Sequence, residues 1–240
     1  MSIMPLDPQR IVFSGSEFLI YDIVDLLPRH PKFPFGSEAI NPNTGKRDVR
    51  GSYQEVPGRM IKTIIYHQTA GGYGRFDKQV FKTASFFVRN PTWKKNPRYG
   101  QPKQPEWLWT GEGRGWPGFA YTWFVPFDPT TMFTDRSRSV IYQCNHLDFV
   151  TWHTGDGQNE GGGGCAFQGY FLEPGEVNHP MKGYDGHPSA IQMKIAELFW
   201  LEYAVPVLGA SVLTGHWEHG KLACPGEDLR EKVQELRGYA

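Results

Sequence analysis

Hydrophobic and polar positions along this chain fall into short blocks with two different periods. Ile61-Lys-Thr-Ile-Ile-Tyr66 is dense in β-branched and aromatic residues and runs into His67-Gln-Thr-Ala-Gly-Gly72, the pattern of a buried strand that ends in a loop with His67 at its carboxyl end. Between Asp77 and Asn90 the apolar residues Val80, Phe81, Ala84, Phe87 and Val88 recur at helical spacing, and Pro91 stops them. Ala120 to Phe127, Ser139 to Cys144 and Cys165 to Phe171 read as further strands, separated by segments rich in Asp, Thr, Asn and Gly. Ser189 to Tyr203 carries Ile191, Ile195, Leu198 and Phe199 at helical spacing behind Pro188, and Gly226 to Gly238 reads as a second, charged helix.

These elements predict an α/β fold: a single domain with a central mixed β-sheet flanked by helices, and a site at strand ends in an open cleft. Residues 1–60 mix short apolar runs with turn signals such as His30-Pro31 and Asn41-Pro42, which predicts a partly irregular N-terminal arm carrying one or two strands, ahead of a main unit at 61–240. No internal repeat and no linker-like stretch divides the chain further.

Composition adds loops and removes several functions. The 28 glycines and 19 prolines imply long connections, among them residues 91–118, which carry Trp93, Trp107, Trp109 and Trp116. Lys and Arg together number 25, as do Asp and Glu, so no net field draws the chain to nucleic acid or an anionic membrane. The most apolar stretches, Phe18 to Leu27 and Leu198 to Leu208, are too short and too interrupted to cross a bilayer, so stable membrane insertion is not expected. The first residues lack a basic start and an apolar run, and the expectation from them is synthesis in the cytoplasm without a signal peptide. Three cysteines are an odd count and too few for a disulfide framework, which leaves at least one as a free thiol or a metal ligand.

That cysteine points to the segment Thr214 to Gly226, which holds His216, His219, Lys221 and Cys224 among glycines. Imidazole and thiolate are preferred zinc ligands, and a catalytic zinc takes three protein ligands and keeps a fourth position for water. His216 and Cys224 with His67 as the distant third would fit. On spacing alone, a buried thiol beside a surface histidine accounts for the pair equally well. His219 is expected to face solvent or stand behind the ligands. Cys144 and Cys165, inside apolar runs, are expected to be buried thiols. Gly161 to Gly164 lack the Lys-Ser/Thr partner of a phosphate loop and are expected to form a flexible rim.

Four motifs then occur in a telling order. Ile64-Ile-Tyr-His-Gln-Thr-Ala70, Gly115-Trp-Pro-Gly-Phe-Ala-Tyr-Thr-Trp-Phe124, Trp152-His-Thr-Gly-Asp-Gly-Gln-Asn159 and Gly215-His-Trp-Glu-His-Gly-Lys-Leu-Ala-Cys-Pro-Gly226 resemble those of zinc-dependent N-acetylmuramoyl-L-alanine amidases, the family of T7 lysozyme-like phage endolysins, peptidoglycan recognition proteins and wall-recycling amidases. The resemblance covers about residues 60–235 and implies Zn2+ held by His67, His216 and Cys224. It implies a catalytic role for Tyr121, in Ala-Tyr-Thr-Trp where the family usually writes Gly-Tyr-His-Phe. It implies one also for Lys221, which stands three residues before Cys224 where T7 lysozyme-like members have their lysine two before, a place taken here by Leu222. His153 and Asn159 match a segment that lines the family's cleft and are read as substrate-positioning, with a loop-holding histidine as the other reading of His153.

The implied function is hydrolysis of the amide between N-acetylmuramic acid and L-alanine in peptidoglycan, by an endolysin-like monomer that reaches the wall after release from the cytoplasm. The alternatives are a recycling amidase, a zinc peptidase acting within the stem peptide, and a recognition module without catalysis. Family members of the last kind have commonly lost the ligating cysteine, whereas Cys224 is present here.

Overall fold

The computed structural model describes residues 8–28, 53–69, 80, 83–85, 87–88, 118–127, 138–154, 158–171 and 186–239. Its framework is a seven-stranded mixed sheet built from β1 (Ile11–Ser14), β2 (Phe18–Asp22), β4 (Thr63–Gln68), β5 (Trp123–Val125), β6 (Ser139–Gln143), β8 (Gly162–Phe167) and β9 (Val212–Gly215). The spatial order is β1-β2-β6-β5-β8-β4-β9, and β3 (Gln54–Glu55) pairs with β7 (Phe149–Val150) in a small separate ladder. β5, β8, β4 and β9 run parallel to one another, as do β2 and β6, while β1 against β2 and β5 against β6 are antiparallel. The α/β class and the mixed central sheet are as the sequence predicts.

The inner strands are covered on both faces, which is why they read as apolar runs and not as alternations. On one face lie α1 (Ala190–Leu198), a π-helical turn at Phe199–Ala204 that continues it, and α2 (Glu227–Leu236). Ser189 and Gln192 close a capping box at the start of α1, and Glu227 and Asp228 place negative charge at the positive end of α2. Leu229, Val233 and Leu236 of α2, with Ile195, Phe199, Trp200 and Tyr203, meet Ile64, Tyr66, Trp123, Val125, Cys165 and Phe167 in the larger core. The opposite face packs Phe119, Phe124, Val140, Tyr142 and Cys144 against Val80, Ala84 and Phe87, which belong to the expected helix between 77 and 90. Cys144 and Cys165 are both buried thiols, as expected.

Three features depart from the sequence reading. Within the 1–60 segment, β1 and β2 join the central sheet through the parallel β2–β6 ladder, and Gln54–Glu55 pairs with β7. β9, only Val-Leu-Thr-Gly, was not anticipated and lies parallel to β4. The glycine run does not make a flexible rim: Gly162, Gly163 and Gly164 are buried positions inside β8. The reason is close approach from both faces, since a Cβ on Gly163 would stand 2.5 Å from the Trp123 ring and one on Gly164 2.8 Å from His153 Cγ. The loop tryptophans at 93, 107, 109 and 116 lie outside the described residues. Among the described residues no helix is long and apolar enough to cross a membrane.

Candidate metal centre

Parallel pairing of β4 with β9 builds the heart of the site. Tyr66 is level with Gly215, so the residues that follow each, His67 and His216, emerge side by side at the carboxyl ends of adjacent strands. His67 is fully buried at the penultimate position of β4, and His216 opens a short 3-10 turn, His216–His219. Their Nδ1 atoms are 3.0 Å apart.

The third donor arrives on a pinned loop. The Cys224 amide donates to the Lys221 carbonyl at 2.8 Å, closing a turn, and Lys221 N donates to the His216 carbonyl at 3.1 Å. Gln68, next to His67, fastens this turn: its backbone N–H donates to Cys224 Sγ at 3.3 Å and its Nε2 to the Ala223 carbonyl at 2.8 Å, while its Oε1 accepts from Phe171 N. Gly226, with φ of 98°, lets the chain pass the Phe171 carbonyl, where a Cβ would stand at 2.4 Å. One ligand atom each from His67, His216 and Cys224 lies within 4.8 Å of the others.

These donors fit a zinc ion. Two imidazole nitrogens bound to tetrahedral zinc at about 2.0–2.1 Å stand about 3.3 Å apart, close to the Nδ1 separation found here. The electrostatics also leave room for a cation. Burial, reinforced by the neighbouring imidazoles of His216, His153 and His219, holds the His67 pKa well below its ordinary value, so the ring is neutral with a lone pair to give. Burial likewise pushes the Cys224 thiol up to about 12, with the Gln68 N–H and the Lys221 charge pulling the other way. A thiol so placed becomes a thiolate when a cation takes the place of its proton.

Tyr121 packs its ring 4.9 Å from the His67 ring, at a tilt of 50°. Its segment is hung from buried polar groups: Asn145 Nδ2 donates to the Tyr121 and Phe119 carbonyls at 2.7 and 2.8 Å, and the Tyr53 hydroxyl donates to the Phe119 and Gly118 carbonyls at 2.7 and 3.0 Å. Lys221 is exposed at the rim, with its charge felt by Cys224.

His153 and Asn159, read from sequence as substrate-positioning, have their polar atoms turned to the protein itself. His153 is buried, with Nδ1 3.2 Å from His67 Nε2 and Nε2 3.2 Å from the Gly162 carbonyl. Burial lowers its pKa to about 3 despite the Gly162 hydrogen bond. Asn159 Oδ1 accepts from His153 N, Thr154 N and Thr154 Oγ1, and its Nδ2 donates to the Thr154 carbonyl.

Sequence reasoning missed four residues that hold this arrangement: Arg59, Gln68, Asn145 and Tyr53. Arg59 is the plainest case. Its guanidinium donates to the carbonyls of Leu147, Phe149, Asn159, Glu160 and Gly162, and burial lowers its pKa to about 10. The only sequence signal was a polar residue within or beside a strand-like run, which says nothing of a backbone acceptor far along the chain.

No protein-family model and no curated protein matches the chain. Among solved structures it is similar to the endolysine N-acetylmuramoyl-L-alanine amidase LysCS from Clostridium intestinale, at 18% identity over 73% of this chain and 82% of that one, with a TM-score of 0.44. It is similar to Drosophila peptidoglycan recognition protein SD, at 17% identity over 77% of this chain and 85% of that one, with a TM-score of 0.48. It is also similar to the ectodomain complex of peptidoglycan recognition proteins LCa and LCx bound to tracheal cytotoxin, at 18% identity over 80% of this chain and 90% of that one, with a TM-score of 0.49.

Proposed function

We propose that the protein is a zinc-dependent amidohydrolase that cleaves the bond between N-acetylmuramic acid and L-alanine in peptidoglycan, and that it acts in lysis after reaching the wall from the cytoplasm. The observation that carries this reading is the convergence of His67, His216 and Cys224 at the carboxyl ends of two adjacent parallel strands, with the Tyr121 ring against His67. The four ordered motifs, which contain these residues, support it from the sequence side.

His67, His216 and Cys224 would hold a zinc ion, which would supply a water of lowered pKa and a Lewis acid for the scissile carbonyl. The chain's own groups do the rest. The Tyr121 hydroxyl donates a hydrogen bond to the carbonyl oxygen as negative charge develops on it, and the Lys221 ammonium, whose charge reaches Cys224, adds positive charge. The Tyr121 main chain is fixed by the Asn145 bond to its carbonyl, and its ring packs on those of His67, Phe87 and Phe119, so the side chain is placed before substrate arrives. The leaving L-alanine amine takes its proton from water.

Digestion of purified peptidoglycan by the zinc-loaded protein tests the reading. The expected result is one new L-alanine amino terminus per cleavage, with intact stem peptides by mass. Bound zinc without released amine would identify a recognition module, and fragments cut within the stem would identify a peptidase; either outcome contradicts the proposal.

A further inference from the structure

His67 turns its two ring nitrogens to different partners. Nδ1 faces His216 Nδ1 at 3.0 Å, on the side of Cys224, and Nε2 faces His153 Nδ1 at 3.2 Å. A neutral imidazole carries one proton, so a ring that gives its Nδ1 lone pair to a metal keeps that proton on Nε2. His153 Nδ1 is then the acceptor, which requires the His153 proton to sit on its own Nε2, 3.2 Å from the Gly162 carbonyl oxygen. A carbonyl only accepts, so it fixes the tautomer of His153 and, one ring further on, that of His67.

We propose that His153 is the positioning residue of the metal centre: the row from the Gly162 carbonyl through His153 to His67 holds His67 as the Nε2–H tautomer, its Nδ1 lone pair aimed at the site before any metal binds. This inference rests on reading His67, His216 and Cys224 as metal ligands. Metal-bound histidines ordinarily donate their second N–H to a carboxylate, carbonyl or water; here a second imidazole stands between the ligand and the carbonyl.

The fold provides each part of the row separately. β8 lies beside β4 with Thr63 level with Gly162, Ile65 with Gly164 and His67 with Ala166. The β8 positions on the face of His67 are therefore Gly162, Gly164 and Ala166, and the two missing side chains leave a cradle in which the His153 ring lies. A Cβ on Gly164 would stand 2.8 Å from His153 Cγ. The two rings meet edge to face, with centroids 5.3 Å apart at 90°. The His153 backbone is fixed from the other side by Asn159, whose Oδ1 accepts from His153 N at 3.0 Å and Thr154 N at 2.9 Å. The acceptor at the end of the row is itself held, because Arg59 donates to the Gly162 carbonyl and, at 2.6 Å each, to those of Asn159 and Glu160. A histidine that merely filled space would need none of these hydrogen bonds.

Two measurements test the proposal. Two-bond proton–nitrogen correlation spectra of the metal-free wild-type protein report which nitrogen of each imidazole carries the proton; His67 and His153 are both expected as Nε2–H. Finding His67 protonated on Nδ1 overturns the proposal whatever any variant does. Zinc affinity, measured by competition with a chromophoric chelator, should fall about 10–100-fold in His153→Phe. It should be largely restored in His153→Gln, whose Oε1 can accept from His67 while its Nε2 donates to Gly162. Equal zinc affinity in wild type and His153→Phe, or equal losses in the Phe and Gln variants, overturns it. A wild-type protein that binds no zinc overturns the metal reading itself, and the tautomer spectrum distinguishes that failure from a failure of the row.

Discussion

The two faces of β4 are held together by different physics. Ile64 and Tyr66 point into the helix-covered core, where Trp123 and Phe199 meet with ring centroids 5.1 Å apart and Tyr203, Leu229 and Val233 complete a dry apolar layer. Even the Tyr66 hydroxyl is absorbed there, donating to the Ala196 carbonyl of α1 at 2.6 Å. His67 points the other way, into a layer whose members are placed by directed hydrogen bonds: His153 on Gly162, Asn159 on the 153–154 backbone, Asn145 on the carbonyl of Tyr121, and Arg59 on the carbonyls around them. Burial on the first face is non-directional and sums over area. The second face has its own apolar cluster around Phe119, Phe124, Val140 and Tyr142, and around His67 it adds hydrogen bonds that set angles and tautomers. On that strand the donors are thus aimed by directed bonds on the residues that alternate with the dry core.

The largest expected effect tests the apolar face. Phe199→Ala should lower unfolding free energy by about 3–5 kcal/mol in a denaturant titration, while the fraction that remains folded binds zinc with unchanged affinity. A parallel loss of zinc affinity would show that the faces are not separable. On the other face, Tyr121→Phe should reduce turnover about 100-fold, about 3 kcal/mol of transition-state stabilisation, with zinc affinity and the denaturation midpoint unmoved. Near-full activity in that variant would remove Tyr121 from the mechanism. Arg59→Met leaves several carbonyls without their donor and should cost about 2–3 kcal/mol of stability. Unlike Phe199→Ala it should also weaken zinc binding, because Gly162 and Asn159 lose their common anchor; stability loss alone would reduce Arg59 to a strap.

The smallest effect concerns pH. In the fold the His153 pKa is held at about 3, against 6.5 in the open chain. Below 6.5 the unfolded chain takes up a proton that the fold refuses, so this contribution to stability is complete above pH 6.5 and falls away as pH drops toward 3. The slope is about 1.4 kcal/mol per pH unit for each such group. Denaturant titrations of the metal-free protein at pH 7, 6 and 5 should show a shallower pH dependence in His153→Phe than in wild type. Identical slopes would mean that His153 protonates as readily in the fold as outside it.

The legible and the illegible parts of this molecule divide along the same line. Apolar patterning located β4, β5, β6 and α1, and strand-end placement with donor chemistry picked out His67, His216 and Cys224, whose ligand atoms lie within 4.8 Å of one another, because each of those signals is local in sequence. β9 escaped because four residues ending in Thr-Gly carry no periodicity, although its register against β4 is what brings His216 beside His67. Gly162 to Gly164 read as loop because glycine has low strand propensity; the side chains that require them come from elsewhere in sequence, Trp123 from the neighbouring β5 and His153 from the loop after β7. His153 was found through its motif, but its partner was not, since nothing in Trp152-His-Thr-Gly says that the imidazole will lie against another histidine and a backbone carbonyl. Arg59, Gln68 and Asn145 were invisible for the same reason: their partners are main-chain groups, which every residue has.

The central claim is that His67, His216 and Cys224 bind one zinc ion, with His67 and His216 each using Nδ1. Anomalous diffraction from crystals of the zinc-loaded protein, recorded on both sides of the zinc absorption edge, tests it most directly. The account predicts one strong peak bonded to His67 Nδ1, His216 Nδ1 and Cys224 Sγ, absent in Cys224→Ser crystals grown at the same zinc concentration. A peak on His67 Nε2, a peak elsewhere on the molecule, or none at these three residues would contradict it.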